Sequence, residues 1–298
     1  MKMVFIGFGE AAYHLALGLG ATEGLQLGAY DAYRDDAKAG PLIRQRAAQA
    51  GVELFDNPEQ ACQAARFVLC LTSASSALAL AERILPLLTA GQDYLDLNSA
   101  APAVKQRIER LPRAAGVGFC DCAVMGTVPG NHHRVPMLLA GSAAPAFAAA
   151  LTPYGMRLTV LDAEPGAASA IKMLKSVVMK GLPQLFLESF QAAERFGVLD
   201  TLVASLGESL DGKTVTQLAD TFTARTLIHA KRRAAELDDV VATLQAVGVE
   251  ASMSIATRDQ LLKLAQQDWN AELGPGGSEL DYRTAIAHFT RAQQESSR

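Results

Sequence analysis

The opening stretch constrains this chain more than any other. Met3–Ile6 is a short apolar run that passes directly into Gly7-Phe8-Gly9-Glu10-Ala11-Ala12, and His14, Leu15, Ala16, Leu17 and Leu19 follow in helical pattern. A strand that turns on glycine straight into a helix is the start of a βαβ unit. The G-x-G-x-x-A spacing suits a dinucleotide. Gly7 permits the tight turn, Gly9 lets a pyrophosphate approach the backbone, and Ala12 allows close packing of helix on sheet. The first N–H groups of the helix then face the anion. Asp31 ends the apolar run Leu25–Tyr30 about twenty positions on, where a carboxylate accepts from both ribose hydroxyls and repels a 2′-phosphate. That favours NAD. Arg34 lies close by and suits a 2′-phosphate, so NADP stays open; a plain loop cap is the other reading of Asp31.

The alternation continues. Leu42–Ala50 and Asn57–Ala65 read as helices around a short strand, Val52–Phe55. Phe67–Leu71 is a continuous apolar run of the kind buried in a parallel sheet. It ends in Thr72-Ser73-Ala74-Ser75-Ser76, at the strand end where such sheets bind ligands, which makes Leu71, Thr72 and Ser73 cofactor candidates. Tyr94–Leu97 is the next strand and leads to Asn98-Ser99; Val117–Cys122 leads to Ala123-Val124-Met125-Gly126-Thr127. With Met137–Ala140 and Thr159–Leu161 these predict a doubly wound, mostly parallel α/β Rossmann domain over residues 1–163. From residue 164 to 298 the pattern is helical: Ala167–Phe196, Leu199–Leu210, Val215–Ala246, Ser254–Trp269 and Leu280–Gln293. Gly181-Leu182-Pro183 is expected to kink the first of these. A cleft between the two domains is the expected ligand site.

With 298 residues, half of them hydrophobic, the chain has material for two cores. The net charge of -4 argues against nucleic acid or an anionic membrane surface as partner, and no apolar run approaches the length of a spanning helix. There is no secretory leader pattern. Cys62, Cys70, Cys120 and Cys122 are scattered; Cys120-x-Cys122 lacks the usual spacing and a second pair, so no metal site is expected. Reduced thiols in a cytoplasmic protein account for them.

Within Glu164–Lys180 (EPGAASAIKMLKSVVMK), Lys172, Ser176 and Lys180 share one helical face, and Met173, Leu174, Val177 and Val178 read as core. The polar face is either solvated or a substrate site. Asp96-Leu97-Asn98-Ser99, Asp121-Cys122-Ala123-Val124-Met125-Gly126 and the Gly166…Lys172 spacing, with the glycine turn, occur in the order found in the β-hydroxyacid dehydrogenase superfamily, and the chain resembles that group. Its members include 6-phosphogluconate and 3-hydroxyisobutyrate dehydrogenases. The second half is more similar to the small helical domain of bacterial phosphogluconate dehydrogenase NAD-binding-like proteins, some of which act on sugar acids such as apionate. Met125 and Thr127 replace a serine and a glycine of the family's loop, and Ser176 stands where the family has asparagine. Lys175 and Lys180 fall where phosphogluconate enzymes carry histidine and tyrosine.

The resemblance implies an NAD(P)-dependent dehydrogenase of a small hydroxy acid. Lys172 is the implied general base, Asn98 contacts the cofactor, and Ser99, Met125, Gly126, Thr127, Lys175, Ser176 and Lys180 contact the substrate. It also implies a homodimer through the helical domain. Burial and the neighbouring Lys175 would lower the Lys172 pKa. Arg232 and Arg233, in the basic run Arg225–Glu236, are either paired within their helix or reach a substrate carboxylate. His229 reads as structural, and His132 and His133 as surface loop. Trp269 and the Phe186/Phe190 pair read as core, and the polar tail Ala292–Arg298 as frayed. An imine reductase, a branch that generally lacks the lysine, is disfavoured. An oxidative decarboxylase or oxidoisomerase of a sugar acid, or a non-catalytic NAD(H) binder, remain alternatives.

Overall fold

Met3 and Phe5 of β1 (Lys2–Ile6) enter one core while Val4 and Ile6 enter another, so the strand is buried on both faces. Such a strand must lie inside a sheet covered by helices on each side. The computed structural model describes residues 1–20, 22–63 and 65–296. Among them β1 is joined by β2 (Gln26–Tyr30), β3 (Glu53–Leu54), β4 (Phe67–Cys70), β5 (Asp93–Asp96), β6 (Gly118–Val124), β7 (Met137–Ala140) and β8 (Leu158–Val160). The order is β3-β2-β1-β4-β5-β6-β7-β8. Every pairing is parallel except β6 with β7. Phe67 and Leu69 join the first core and Val68 and Cys70 the second, repeating the split of β1.

The helices of this part are α1 (Glu10–Leu19), α2 (Gly40–Ala50), α3 (Pro58–Gln63), α4 (Ala77–Ile84), α5 (Pro102–Glu109), α6 (Ala144–Leu151) and the 30-residue α7 (Ala167–Phe196). Proline near the first turn starts α2, α5 and α6, where its missing N–H costs nothing. Gly51, at φ 64°, ends α2 in the left-handed conformation. The expected helix Asn57–Ala65 ends at Gln63, and Ala64 lies outside the described residues. The β6 strand extends to Val124, because Val124 pairs with Met137 across the antiparallel ladder; two residues expected in a loop are therefore strand.

The chain divides into two compact units, Met1–Val177 and Val178–Arg298. This division lies within α7. The proposed boundary at 163/164 lies just ahead of the helix, where strands give way to helices. The second unit holds α8 (Leu199–Leu210), α9 (Val215–Ile228), α10 (Ala230–Ala246), α11 (Ser252–Leu264), α12 (Trp269–Leu273) and α13 (Tyr282–Ser296). A capping box between Thr214 and Gln217 starts α9. The single helix expected over Val215–Ala246 is two, broken at His229, whose backbone sits at φ -100°, ψ 16°. No glycine or proline marks the break. The ladder resumes on either side, with His229 N–H donating to the Arg225 carbonyl and Arg233 N–H to that of His229.

Trp269 is buried, and its Nε1 donates to the Leu264 carbonyl at 2.7 Å. The polar tail is helical through Ser296, with Ala292 buried in the same core; residues 297 and 298 lie outside the described residues. Two core assignments fail. Phe186 and Phe190 are half-buried and stack on each other with centroids 5.2 Å apart, outside the core clusters. Leu174, Val177 and Val178 are 67, 70 and 63 % exposed. Their periodicity marks an apolar helix face but not what covers it.

His132 and His133 are also not a plain surface loop. They form a 3-10 turn, His132–Arg134, whose histidine Nδ1 atoms are buried, and the His132 ring lies 5.3 Å from that of His14 on α1. Gly18 admits this turn: a Cβ there would overlap His133 Nδ1 and reach 2.8 Å from His132 Cβ and 3.0 Å from the His133 backbone nitrogen. Alanine in a helix ordinarily gains ~1 kcal/mol over glycine. Here overpacking of about 1–3 kcal/mol opposes that gain. Gly18→Ala is expected to lower the stability of the first unit, read as an earlier midpoint in urea unfolding; a later midpoint would show that the turn yields freely.

Candidate functional site

Parallel strands β1, β4 and β5 end on one edge of the sheet, and the residues just past those ends meet there. Gly7 follows β1 at φ 92°, a conformation that L side chains rarely adopt. A Cβ on Gly7 would strike the Leu71 carbonyl and stand 2.6 Å from Thr72 Cγ2, so the turn lies directly against the end of β4. Around Gly9 the space is open within 4 Å. Gly9 supplies no side-chain cap to α1, and the helix's leading N–H groups, from Glu10 to Ala12, precede its first internal bond, Tyr13 N–H to the Gly9 carbonyl. Glu10 is exposed and Ala11 half-buried, while Ala12 is sealed in the core and sets the close approach of helix to sheet.

Beside this turn lies a cavity of about 500 Å³ lined by Gly7, Gly9, Asp31, Tyr33, Thr72, Ser73 and Arg83 among others. Phe8 is buried, and its N–H donates to Asp31 Oδ2 at 2.7 Å; Tyr33 N–H donates to Oδ1 at 2.9 Å. The Asp31 carboxylate is thus both a loop cap and a fixed charge on the cavity wall. Arg34 is drawn to two acids, with Nε 3.3 Å from Asp35 Oδ1 and Nη1 on Asp56 Oδ1. Tyr33, Arg83 and Asp56 were not singled out from sequence; only the fold brings Arg83, from α4, to the cavity.

Ser73 and Ser76 cap each other at the end of β4. Thr72 bridges to β5: its N–H donates to Asn98 Oδ1 at 2.6 Å and its hydroxyl does so at 3.2 Å. The Asn98 Nδ2 and backbone N–H both donate to Asp96 Oδ1. Asn98 is buried and ties the two strand ends together. Ser99, next in line, is exposed, and its Oγ receives a hydrogen bond from Lys172 Nζ at 2.6 Å.

Lys172 is half-buried. Burial pushes its pKa down first; the Lys105 ammonium adds to this, and Asp121 opposes it. The expected contribution of Lys175 is replaced by Lys105, because Lys175 points out and is exposed. Ser176 is half-buried and donates to the Lys172 carbonyl at 3.0 Å, a back-bond along the helix. Met125 N–H is taken by the Pro136 carbonyl at 2.8 Å; Gly126 and Thr127 are exposed. Lys180, Arg232 and Arg233 belong to the second unit. Lys180 is exposed, Arg232 forms an i,i+4 pair with Glu236, and Arg233 Nη1 donates to Thr226 Oγ1 at 2.6 Å.

The helix that carries Lys172 is fixed at its start by β6. Asp121 Oδ2 accepts from Gly166 N–H and Ser169 N–H, each at 3.0 Å, and Oδ1 from Ser169 Oγ at 2.6 Å. Asp121 thereby caps α7 from another strand, where the helix dipole favours a carboxylate. Ser169 and Lys105 were missed from sequence. Lys105 stands three residues before buried Ile108 on one helical face, which was the available signal. Among the described residues no helix is long and apolar enough to cross a membrane.

The comparisons agree with this geometry. The sequence pattern of the NAD binding domain of 6-phosphogluconate dehydrogenase matches residues 2–159, and that of a domain of unknown function, DUF1932, matches residues 193–263. A conserved hypothetical protein from Sinorhizobium meliloti 1021 is 33% identical, over 98% of this chain and 96% of its own, with a TM-score of 0.61. A conserved protein of unknown function, described as structurally similar to 3-hydroxyacid dehydrogenases, is 28% identical over 90% of this chain and 99% of its own, also with a TM-score of 0.61. An imine reductase variant from Myxococcus stipitatus, in complex with NAD+, shares the fold at 20% identity, covering 97% and 98% of the two chains with a TM-score of 0.73. The glycine turn, the open helix start and the two-domain match make one conclusion: the chain belongs to the family of the NAD binding domain of 6-phosphogluconate dehydrogenase, within the β-hydroxyacid dehydrogenase superfamily, and binds a nicotinamide dinucleotide in its first domain.

Proposed function

We propose that the protein is an NAD-dependent oxidoreductase that oxidises a small hydroxy acid, a sugar acid among the candidates, with Lys172 as general base. The observation that carries this reading is the 2.6 Å hydrogen bond from Lys172 Nζ to Ser99 Oγ, on the sheet edge where the glycine turn lies. From Gly7 the contacts run through Thr72 and Asn98 to Ser99 and its lysine partner. The cofactor fits the residues present: open space at Gly9, uncapped N–H groups on α1, and a carboxylate fixed on the cavity wall.

When bound, NAD supplies the acceptor for the hydride that leaves the carbinol carbon. Lys172 in its neutral form takes the hydroxyl proton as that carbon becomes a carbonyl. Burial and the Lys105 ammonium lower its pKa, a shift in the direction a lysine base needs. Ser99 holds the amine in place and releases it as the substrate hydroxyl arrives. In reduction Lys172 returns the proton as ammonium. Cytoplasmic action is consistent with the four buried free thiols.

For the cofactor, Asp31 favours the ribose hydroxyls of NAD, and Arg34 is engaged by Asp35 and Asp56 instead of standing free for a 2′-phosphate. For assembly, Leu174, Val178, Leu182 and Leu185 recur at four-, four- and three-residue steps on α7, and all are exposed. A stripe of that spacing suits burial against a second copy, giving a homodimer through α7.

A panel of sugar acids and 3-hydroxy acids should yield a substrate by NADH absorbance. On it, Lys172→Ala is expected to lose about 10²–10⁴-fold in kcat with NADH affinity unchanged. Near-normal turnover would remove Lys172 from the mechanism. Asp31→Asn should narrow the preference for NADH over NADPH about tenfold or more in fluorescence titrations; an unchanged ratio would assign selectivity elsewhere. Val178→Asp should convert a dimer to a monomer in sedimentation, and a wild-type chain that is monomeric at micromolar concentration would end the dimer reading.

A further inference from the structure

Lys105 has no solvent exposure at all. Lysine is almost never found so unless it is paired, since an isolated ammonium in an apolar setting is costly. Its Nζ donates to the Asp96 carbonyl at 2.8 Å and lies 3.0 Å from Asp96 Oδ2 and 3.6 Å from Asp121 Oδ1. The two acids face each other across adjacent strands, Asp96 on β5 in register with Asp121 on β6. Asp96 Oδ2 has no donor aligned on it, so the ion pair alone holds it.

From this ammonium two arms reach the site. One runs through Asp96 Oδ1 to Asn98, the neighbour of Ser99. The other runs through Asp121 to Gly166 and Ser169, at the start of the helix that carries Lys172. The bond from Lys172 to Ser99 closes them into a ring. Moving either strand end, or the first turn of α7, would break that bond. An ordinary structural pair would hold one element to another; this one sits at the origin of both halves of the catalytic contact.

We propose that Lys105 is a positioning residue for Lys172: it fixes Ser99 and the first turn of α7 relative to each other and sets, with Asp121, the electrostatic field at the Lys172 amine. This role rests on Lys172 as the proton acceptor. The charged and polar groups around Lys172 are Lys105 on α5, Asp96 and Ser99 at the end of β5, Asp121 on β6, and exposed Lys175 on its own helix. Among them Lys105 disfavours a second ammonium and Asp121 favours one. The two substitutions therefore have opposite signs. Without Lys105 the amine holds its proton to higher pH, and without the Asp121 charge it loses it at lower pH.

The test needs no substrate. The intact chain is pulse-labelled with an amine-selective acylating reagent across a pH series, and modification of the Lys172 peptide is quantified by mass spectrometry. In Lys105→Met the Lys172 midpoint is expected to rise above the wild-type midpoint, and in Asp121→Asn to fall below it. If Lys105→Met does not fold, Lys105→Gln takes its place in the same labelling series, with the same rise expected. Midpoints unchanged in folded variants, or moving in the same direction, overturn the proposal and leave Lys105 a structural ion pair. Because labelling reports the amine and not turnover, a shifted midpoint alongside an active Lys172→Ala enzyme would refute the base while leaving the electrostatic link intact.

Discussion

The carboxylate of Asp121 is the interaction on which the first unit's chemistry depends. It is fully buried, on an inner strand of the sheet, and an uncompensated charge there would be prohibitive. The Gly166 N–H just ahead of α7, two donors of Ser169 in its first turn and the Lys105 ammonium satisfy it. Each of those partners is thereby fixed in turn. The start of α7 docks on β6, and Lys172, six residues past Gly166, comes to the strand edge with its amine on Ser99. A cap made by a distant strand, not by the residue preceding the helix, couples the direction of α7 to the register of the sheet. At the start of this 30-residue helix Ala168 and Ser169 are buried, while Leu174, Val177 and Val178 further along are exposed.

The cofactor end follows a different logic. Its groups are mostly backbone: a glycine at positive φ, uncapped N–H groups and a carbonyl edge. The side chains that matter are fixed by backbone donors, as Asp31 is by Phe8 and Tyr33. Thr72 and Asn98 join this end to the lysine end through hydrogen bonds among buried or half-buried atoms, which in low dielectric are stiff links. The glycine turn and Lys172 are thus joined by one connected network spanning three strand ends.

Much of this was legible in the sequence. The glycine turn, Asp31, the alternating strands and the Gly166…Lys172 spacing are local patterns, and each lies where its local physics put it. What the sequence hid was long-range. Lys105 looked like one more polar helix residue, since no neighbour in sequence announces Asp96 and Asp121. The Ser176 hydroxyl donates along its own helix and the Met125 N–H pairs with Pro136, contacts that no local pattern announces. The break at His229 left no trace because a single residue in the bridge region preserves the ladder on either side. His132 and His133 pack on α1 because Gly18, six residues past a motif that drew attention elsewhere, lacks a side chain.

The apolar face of α7 shows the limit of periodicity as evidence. Leu174, Val177 and Val178 read as core because a helix that hides apolar residues at regular steps normally covers its own domain. Those three are more than half exposed. Periodicity reports that a face is to be buried and says nothing of the covering surface. Side chains of this size each gain about 1.5–3 kcal/mol on full burial, and Leu174, Val178, Leu182 and Leu185 are all exposed. The polar opposite holds at the helix start, where Ser169 and Asp121 are buried and fully paired. One helix therefore presents two kinds of surface in sequence: a hydrogen-bonded end that orients an amine toward the sheet edge, and an apolar middle whose burial calls for another surface.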